Sequence, residues 1–196
     1  MSYRNPLVRL MLGDRSDRAF YCWRLNEQGV GSFDAAVTEH TADSALDERV
    51  DQQLRRQGSW LQHQWTLRLW NAGKLRIFSL AVDGFPACTG IIRDWSLHRR
   101  ELGSLLDPAP ILGPYWTDPD YRGRRLYGRL LRHTVRAAAA NGHEMMWIWA
   151  STGNIASRKG IERAGFEATG CVRVQRRFFR LYNRCWWLSD CPATVL

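Results

Sequence analysis

Two stretches of this chain combine residue types and spacings that could do chemistry. The first is Ile111 to Leu131, ILGPYWTDPDYRGRRLYGRLL. Its apolar start runs into Pro119, which fixes φ and lacks a backbone donor, so a strand should end near it. Arg122-Gly123-Arg124-Arg125-Leu126-Tyr127-Gly128 follows. The spacing then predicts a helix, with Leu130, Leu131, Thr134, Val135 and Ala138 on one face and Arg125, Arg129, Arg132 and Arg136 on the other. A glycine-bearing turn that ends in a helix N-terminus offers free N–H groups at a positive dipole end, which suits a phosphate. The same residues also suit a solvated basic loop ahead of an ordinary amphipathic helix.

The second stretch is Asn154 to Phe166, NIASRKGIERAGF, after a strand-like Met145 to Ala150. Asn154 is a good helix N-cap, and Gly165 suits the position just past a helix C-terminus.

In this order and at this spacing the two stretches resemble the GNAT superfamily of acyl-CoA N-acyltransferases. PDYRGRRLYGRLL is similar to its pyrophosphate-binding turn, R/Q-x-x-G-x-G/A, and NIASRKGIERAGF to its second motif, Asn-x-x-Ser/Ala ending in Gly-Phe. The resemblance covers residues 111–170 well, the flanking strands loosely and the first 70 residues poorly. Arg125 and Tyr127 stand where the family usually has small residues.

That resemblance implies an α/β (α+β) fold of one domain over residues 1–196, with a cofactor-binding core at about 75–170. Its central sheet would be mixed, mostly antiparallel and six- to seven-stranded, splayed between strands 4 and 5, with helices on both faces. It implies acetyl-CoA as cofactor. The pantetheine arm would lie along Tyr115, Trp116 and Thr117, as an added strand does. Arg122, Gly123, Arg124, Arg125, Leu126, Tyr127 and Gly128 would hold the pyrophosphate, and Asn154 would face the arm. Many family members keep a tyrosine seven residues after the asparagine to protonate the departing thiolate; here that position is Ile161. The branch with serine at the third position offers a hydroxyl instead, which makes Ser157 both a cofactor contact and the catalytic candidate. The family's base is often a glutamate on the fourth strand, but Ile111 to Trp116 holds no acid. Asp94, His98, Glu101, Tyr115 and Asp118 are near in sequence. The implied activity is acetyl transfer to a primary amine of a small acceptor such as an amino sugar. The alternative is an inactive module of the same fold that binds CoA or a partner.

Composition bounds the remaining classes. The chain has 196 residues, 45% of them hydrophobic, which is one domain with a real core. Its net charge of +9 is carried almost wholly by arginine and suits a phosphate-rich partner. No nucleic-acid motif and no run long enough to span a membrane occurs, so neither is expected as a partner; a homodimer is an expected assembly. Cys22, Cys88, Cys171, Cys185 and Cys191 form no metal or disulfide pattern, so reduced thiols in the cytoplasm are expected. The charged N-terminus lacks the apolar core of a signal peptide. Trp186 and Trp187, with Arg173, Arg176, Arg177, Arg180 and Arg184, read either as sheet packing or as an aromatic-walled pocket for an anionic acceptor.

The elements that must position these residues are legible in outline. Ala19 to Leu25 reads as a strand and Asn26 to Gly31 as a turn. Asp43 to Gln57 reads as a helix capped by Ser44. Trp60 to Trp70 fits a helix ended by Gly73, or a strand; the resemblance favours the helix. Leu75 to Val82 and Cys88 to Trp95 read as strands joined through Asp83-Gly84, and Leu97 to Pro110 as a long loop. Phe166 to Gln175 and Phe178 to Leu188 close the chain as an antiparallel pair.

Overall fold

A computed structural model of the chain describes residues 14–25, 33–42, 45–177 and 182–189. The turn expected at Asn26 to Gly31 lies outside them, as do Ser44, Phe178 and Arg180. In chain order the elements are β1 (Asp14–Arg24), β2 (Val37–His40), α1 (Glu48–Arg56), α2 (Trp60–Asn71), β3 (Leu75–Val82) and β4 (Phe85–Arg93). Then come α3 (Arg99–Leu102), β5 (Ile111–Thr117), α4 (Leu126–Ala140), β6 (Met145–Ser151), α5 (Ile155–Arg163), β7 (Glu167–Arg177) and β8 (Tyr182–Trp187).

The eight strands form one sheet in the order β2-β3-β4-β5-β6-β1-β7-β8. Only β5 and β6 pair in parallel. This is the expected mixed, mostly antiparallel sheet. It has more strands than the six or seven expected, because Val37–His40 pairs with β3. Four polar-rich residues carry no periodicity from which that strand could be read. The N-terminal strand is interior, between β6 and β7. Its residues explain why: Ala19, Tyr21 and Trp23 are buried on one face and Phe20 and Cys22 on the other, as a strand covered on both sides requires.

Two local differences matter. Asp47, not Ser44, caps α1, its carboxylate accepting from the Arg49 and Val50 N–H groups at 2.9 and 3.2 Å. The strand expected to reach Trp95 stops at Arg93 and a 3₁₀ turn takes Trp95–Leu97, after which the segment expected as a long loop holds α3. Leu102, Leu106 and Ala109 of that segment are buried against Phe20, Ile111 and Trp147, so it caps the core. Cys22, Cys88 and Cys185 form no disulfide, whereas Cys171 is disulfide-bonded, against the expectation of thiols throughout.

The helices α4 and α5 cover one face of the sheet, where Leu130, Leu131 and Val135 meet Phe78, Leu112, Ile148 and Ile161. On the other face α1 and α2 cover β3 and β4 through Val50, Leu54 and Trp70, and α3 covers Phe20 and Trp147.

Candidate functional site

The site begins as a gap in the sheet. β5 and β6 pair only at Ile111 with Trp147 and Leu112 with Ile148. Beyond that, Ile92 pairs with Leu112 but Gly90 with Tyr115, so Gly113 and Pro114 bulge opposite Ile91. Gly113 has φ of 105°, which only glycine adopts readily. The bulged strand stays with β4 as far as Thr117 opposite Cys88 and leaves β6 behind. Past the bulge, β5 and β6 each show an edge of backbone donors and acceptors to the gap. An extended chain can satisfy these groups.

At the open end of the gap sits the basic turn. Asp118 is buried; its carboxylate accepts from the Asp120 N–H at 3.1 Å and from Gln53 Nε2 at 3.1 Å, which locks the exit from β5. Arg122 Nε donates to the Thr117 carbonyl at 3.3 Å. Arg122, Gly123, Arg124 and Arg125 are all exposed. Arg125 takes φ of 59° and ψ of 18°, the left-handed conformation for which a glycine is the ordinary choice. It is also the N-cap of α4, whose first turn has no side-chain cap and no acidic residue. The positive end of a fifteen-residue helix therefore faces outward, uncompensated, behind a row of arginines. A Cβ on Gly123 would meet nothing within 4 Å, so the cradle is open.

Tyr127 stands where the resembling motif has a small residue, yet it does not fill that cradle. Its ring turns inward, edge-on to Tyr115 at 5.3 Å between centroids, and lies over Gly160. Burial pushes its phenol up to about 12, and the Ser157 side chain facing it works the other way. Tyr115 also faces this side: its hydroxyl is 2.5 Å from Thr134 Oγ1, and burial raises it well above the ordinary range. Its side chain therefore belongs to the core, and only its backbone borders the gap. Trp116, next in the strand, is half-buried and pairs with Thr89; Thr117 Oγ1 is 3.3 Å from Cys88 Sγ.

The second motif forms as its sequence predicts. The Asn154 side-chain oxygen accepts from the Ser157 N–H at 3.1 Å and caps α5, and Gly165 has φ of 88° past its end. Ile161 is fully buried against the core and offers nothing to the gap. The first turn of α5 is tied to β1 by a buried network. Arg158 Nε donates to the Tyr21 hydroxyl and Arg158 Nη1 to the Thr152 carbonyl, each at 3.1 Å; Tyr21 in turn donates to Glu162 at 3.1 Å. The structure thus brings together β5, the basic turn, Asn154 and Ser157, and adds Tyr127. Sequence reasoning treated Tyr127 as a residue of the turn. A signal was available, because Tyr127, Leu131, Thr134 and Ala138 recur at helical spacing on the apolar stripe.

The carboxylates and histidine near the gap separate by place. Asp94 is exposed, and its bond to Ser96 holds it below the usual carboxylate range. Asp118 is engaged by Gln53. His98 and Glu101 lie on the α3 side of the sheet, opposite α4, and His98 Nε2 and Glu101 Oε1 are buried without a hydrogen-bond partner. The pocket expected around Trp186 and Trp187 does not adjoin the gap. They lie on β8, three places from β6, Trp187 stands edge-on to Phe20, and Arg173 is held bidentately by Asp17 at 2.7 Å. Aromatic residues at the gap are Trp116 and Trp149 instead. Among the described residues no cluster of metal-ligating side chains occurs, and no helix is long and apolar enough to cross a membrane.

Residues 108–164, which span both motifs, match the acetyltransferase (GNAT) domain family. The same architecture recurs in solved structures. A GNAT-family protein from Novosphingobium aromaticivorans is 20% identical, with a TM-score of 0.57 over 82% of this chain and 63% of that one. A GNAT-family acetyltransferase from Colwellia psychrerythraea is 15% identical, with a TM-score of 0.58 over 81% of this chain and 55% of that one. An aminoglycoside N-acetyltransferase in complex with CoA is 21% identical, with a TM-score of 0.50 over 68% of this chain and 92% of that one. These likenesses show the fold, and the chain spans less than two thirds of the length of the first two. No curated protein matches it. The matched segment is that of the two motifs, so the comparison agrees with the resemblance read from them, and the fold is that of GNAT-family structures.

Proposed function

We propose that the protein transfers the acetyl group of acetyl-CoA to a primary amine of a small acceptor by direct transfer. The observation that carries this reading is the uncapped, acid-free N-terminus of α4 behind exposed Arg122, Arg124 and Arg125, at the mouth of the gap between β5 and β6. The residues fit the cofactor: free N–H groups and guanidinium groups suit a pyrophosphate, and unpaired strand edges suit an amide-bearing arm. Acetyl-CoA supplies an activated acyl group with a thiolate as leaving group. A protein of this fold is known in complex with CoA.

The chain's own residues would act as follows. Trp116 and Thr117 would line the arm through their backbone, and Asn154 would fix the first turn of α5 beside it. Ser157 would donate a hydrogen bond where negative charge develops on sulfur, and Tyr127 would orient that hydroxyl. Direct transfer, without an acyl-enzyme, is supported by Cys88: burial pushes its thiol up to about 11, so at neutral pH it stays protonated and is a poor nucleophile.

A second reading, an inactive CoA- or partner-binding module, is favoured by buried Ile161 and by the lack of an acid on β5. A thermal-shift titration with acetyl-CoA on wild type and Arg122→Glu tests binding. A concentration-dependent rise in Tm in wild type, much reduced in the variant at unchanged intrinsic stability, is expected. No shift in folded wild type sinks acetyl transfer and the CoA-binding module, and leaves the partner-binding one. Turnover of an amine panel, read by a thiol-reactive dye, then separates enzyme from module.

A further inference from the structure

The first turn of α5 is held to the sheet by hydrogen bonds and not by apolar packing. Asn154, Ile155 and Ala156 are exposed, and Ser157 is half-buried. The buried residues of this nine-residue helix are Arg158 and Ile161. Ile161 anchors the second half in the core by apolar contact. The anchor of the first turn is Arg158, 4% exposed. Its Nε donates to the Tyr21 hydroxyl and its Nη1 to the Thr152 carbonyl, each at 3.1 Å. The Tyr21 hydroxyl gives its own proton to a hydrogen bond with Glu162 Oε1 at 3.1 Å.

One hydroxyl from β1 thus serves two residues of α5 four positions apart, Arg158 and Glu162, which share a helix face at that spacing. Taking a guanidinium out of water is costly, and an apolar side chain at position 158 would be buried without that cost. What apolar contact does not supply is direction. Bonds from a planar guanidinium fix both distance and angle, whereas packed methyl groups can slide. The strand that presents the hydroxyl is itself held on both sides: Tyr21 is fully buried and lies opposite Ile148 of β6 and Ala168 of β7. The Thr152 carbonyl adds the turn that leads from β6 into α5. Together these bonds set the first turn of α5 in register with β6, one border of the gap. The residues placed in this way are Asn154, whose side chain accepts from the Ser157 N–H at 3.1 Å, and Ser157 itself, which directly precedes Arg158. The local motif contains no trace of this, because Tyr21 stands 137 positions from Arg158.

We propose that Tyr21 and Arg158 are positioning residues of the cofactor site. They hold the first turn of α5, and with it Asn154 and Ser157, where it meets the pantetheine arm of acetyl-CoA. They act on the arm and not on the pyrophosphate, which belongs to the turn before α4. The inference rests on the acetyl-CoA reading above; the hydrogen bonds that motivate it do not.

The test uses the full chain and two probes: acetyl-CoA, and ADP, which offers a pyrophosphate without the arm. Tyr21→Phe removes one oxygen and keeps the buried ring. By calorimetry it should weaken acetyl-CoA binding about three- to tenfold and leave ADP binding unchanged. Arg158→Leu keeps buried bulk but loses both side-chain bonds, so it should weaken acetyl-CoA further and again spare ADP. Arg122→Glu, at the basic turn, should weaken both probes. Amide hydrogen exchange without ligand is the second measurement, and it decides the matter if ADP binds too weakly to measure or Arg158→Leu does not fold. Tyr21→Phe should speed exchange at the Ser157 and Arg158 N–H groups and leave that of Arg129 in α4 unchanged. A role confined to overall stability would speed all three alike. Unchanged acetyl-CoA affinity in folded Tyr21→Phe, equal loss of both probes, or uniform exchange would each overturn the positioning role. No binding of acetyl-CoA to wild type would instead overturn the cofactor reading and the positioning role with it, even where exchange shows that the network holds the turn.

Discussion

The Ser157 hydroxyl and the Tyr127 phenol face each other between two helices, and the consequence is testable. Alone, a serine hydroxyl is free to point its proton in several directions. The proposed mechanism requires the phenol to donate to the serine oxygen, which leaves the serine proton to point toward the gap. Ser157→Ala should therefore lower kcat by roughly ten- to a hundredfold, about 1–3 kcal/mol, the range of a charge-assisted hydrogen bond. The KM for acetyl-CoA should move less, because the bond strengthens only as charge develops. Tyr127→Phe should cost a smaller factor, and the double variant should be no slower than Ser157→Ala, because Tyr127 acts only through the serine. Steady-state kinetics on the three variants decides this; additive losses would give Tyr127 a separate role. Arg125 poses a different residue-scale question. Its left-handed backbone is strained for a side chain. Arg125→Gly should raise stability by up to about 1 kcal/mol in thermal or urea unfolding. It should also weaken acetyl-CoA binding, since the guanidinium is lost.

The two helices α4 and α5 meet where Gly160 receives the Tyr127 ring. A Cβ on Gly160 would stand 2.6 Å from Tyr127 Cε1 and 2.8 Å from Cδ1, too close for both to stay in place. The ring is wedged between α5 and Tyr115, so it has little room to retreat. Gly160→Ala should then cost about 1–3 kcal/mol by overpacking, against a gain in helix propensity of under ~1 kcal/mol. The penalty should largely vanish in a Tyr127→Leu background. Urea unfolding of the four members of this cycle measures the coupling; an unchanged penalty in that background would place the clash elsewhere. The same contact explains a feature of the second motif. With Tyr127 from α4 occupying the space between the helices, position 161 can be a core isoleucine.

At the scale of the whole molecule, three histidines are held below their ordinary range, His40, His98 and His133, each chiefly by burial. A histidine lowered in the folded state takes up protons first in the unfolded state. Stability is thus full above about pH 6.5 and declines as pH falls toward the folded value. For His98 that window runs down to about 4, and its share is at most about 3 kcal/mol. Urea midpoints should therefore drop between about pH 7 and about pH 4.5, and His98→Gln should drop less. An equal drop in the variant would assign acid sensitivity to the net charge alone.

How much of this was legible beforehand follows from the range of the interactions. Asn154, Gly165, Pro119 and the apolar stripe of α4 act within a few residues of themselves, so the helices, the basic turn and the second motif could be placed from sequence spacing. So could β3, because its bounds are set by local alternation and a two-residue turn. One cap was misread: Ser44 was expected, and Asp47 takes that place because its carboxylate accepts from the Arg49 and Val50 N–H groups. What no local pattern contains is the order of strands. β1 enters the sheet between β6 and β7 because Phe20 and Tyr21 each find a core on opposite faces, and those cores draw on residues as distant in the chain as Ile148 and Val172. The Tyr127 phenol beside Ser157 is of the same kind. Their chemistry is written in residue types, but their proximity comes only from the tertiary structure, where a bulge at Gly113–Pro114 opens the sheet beside them.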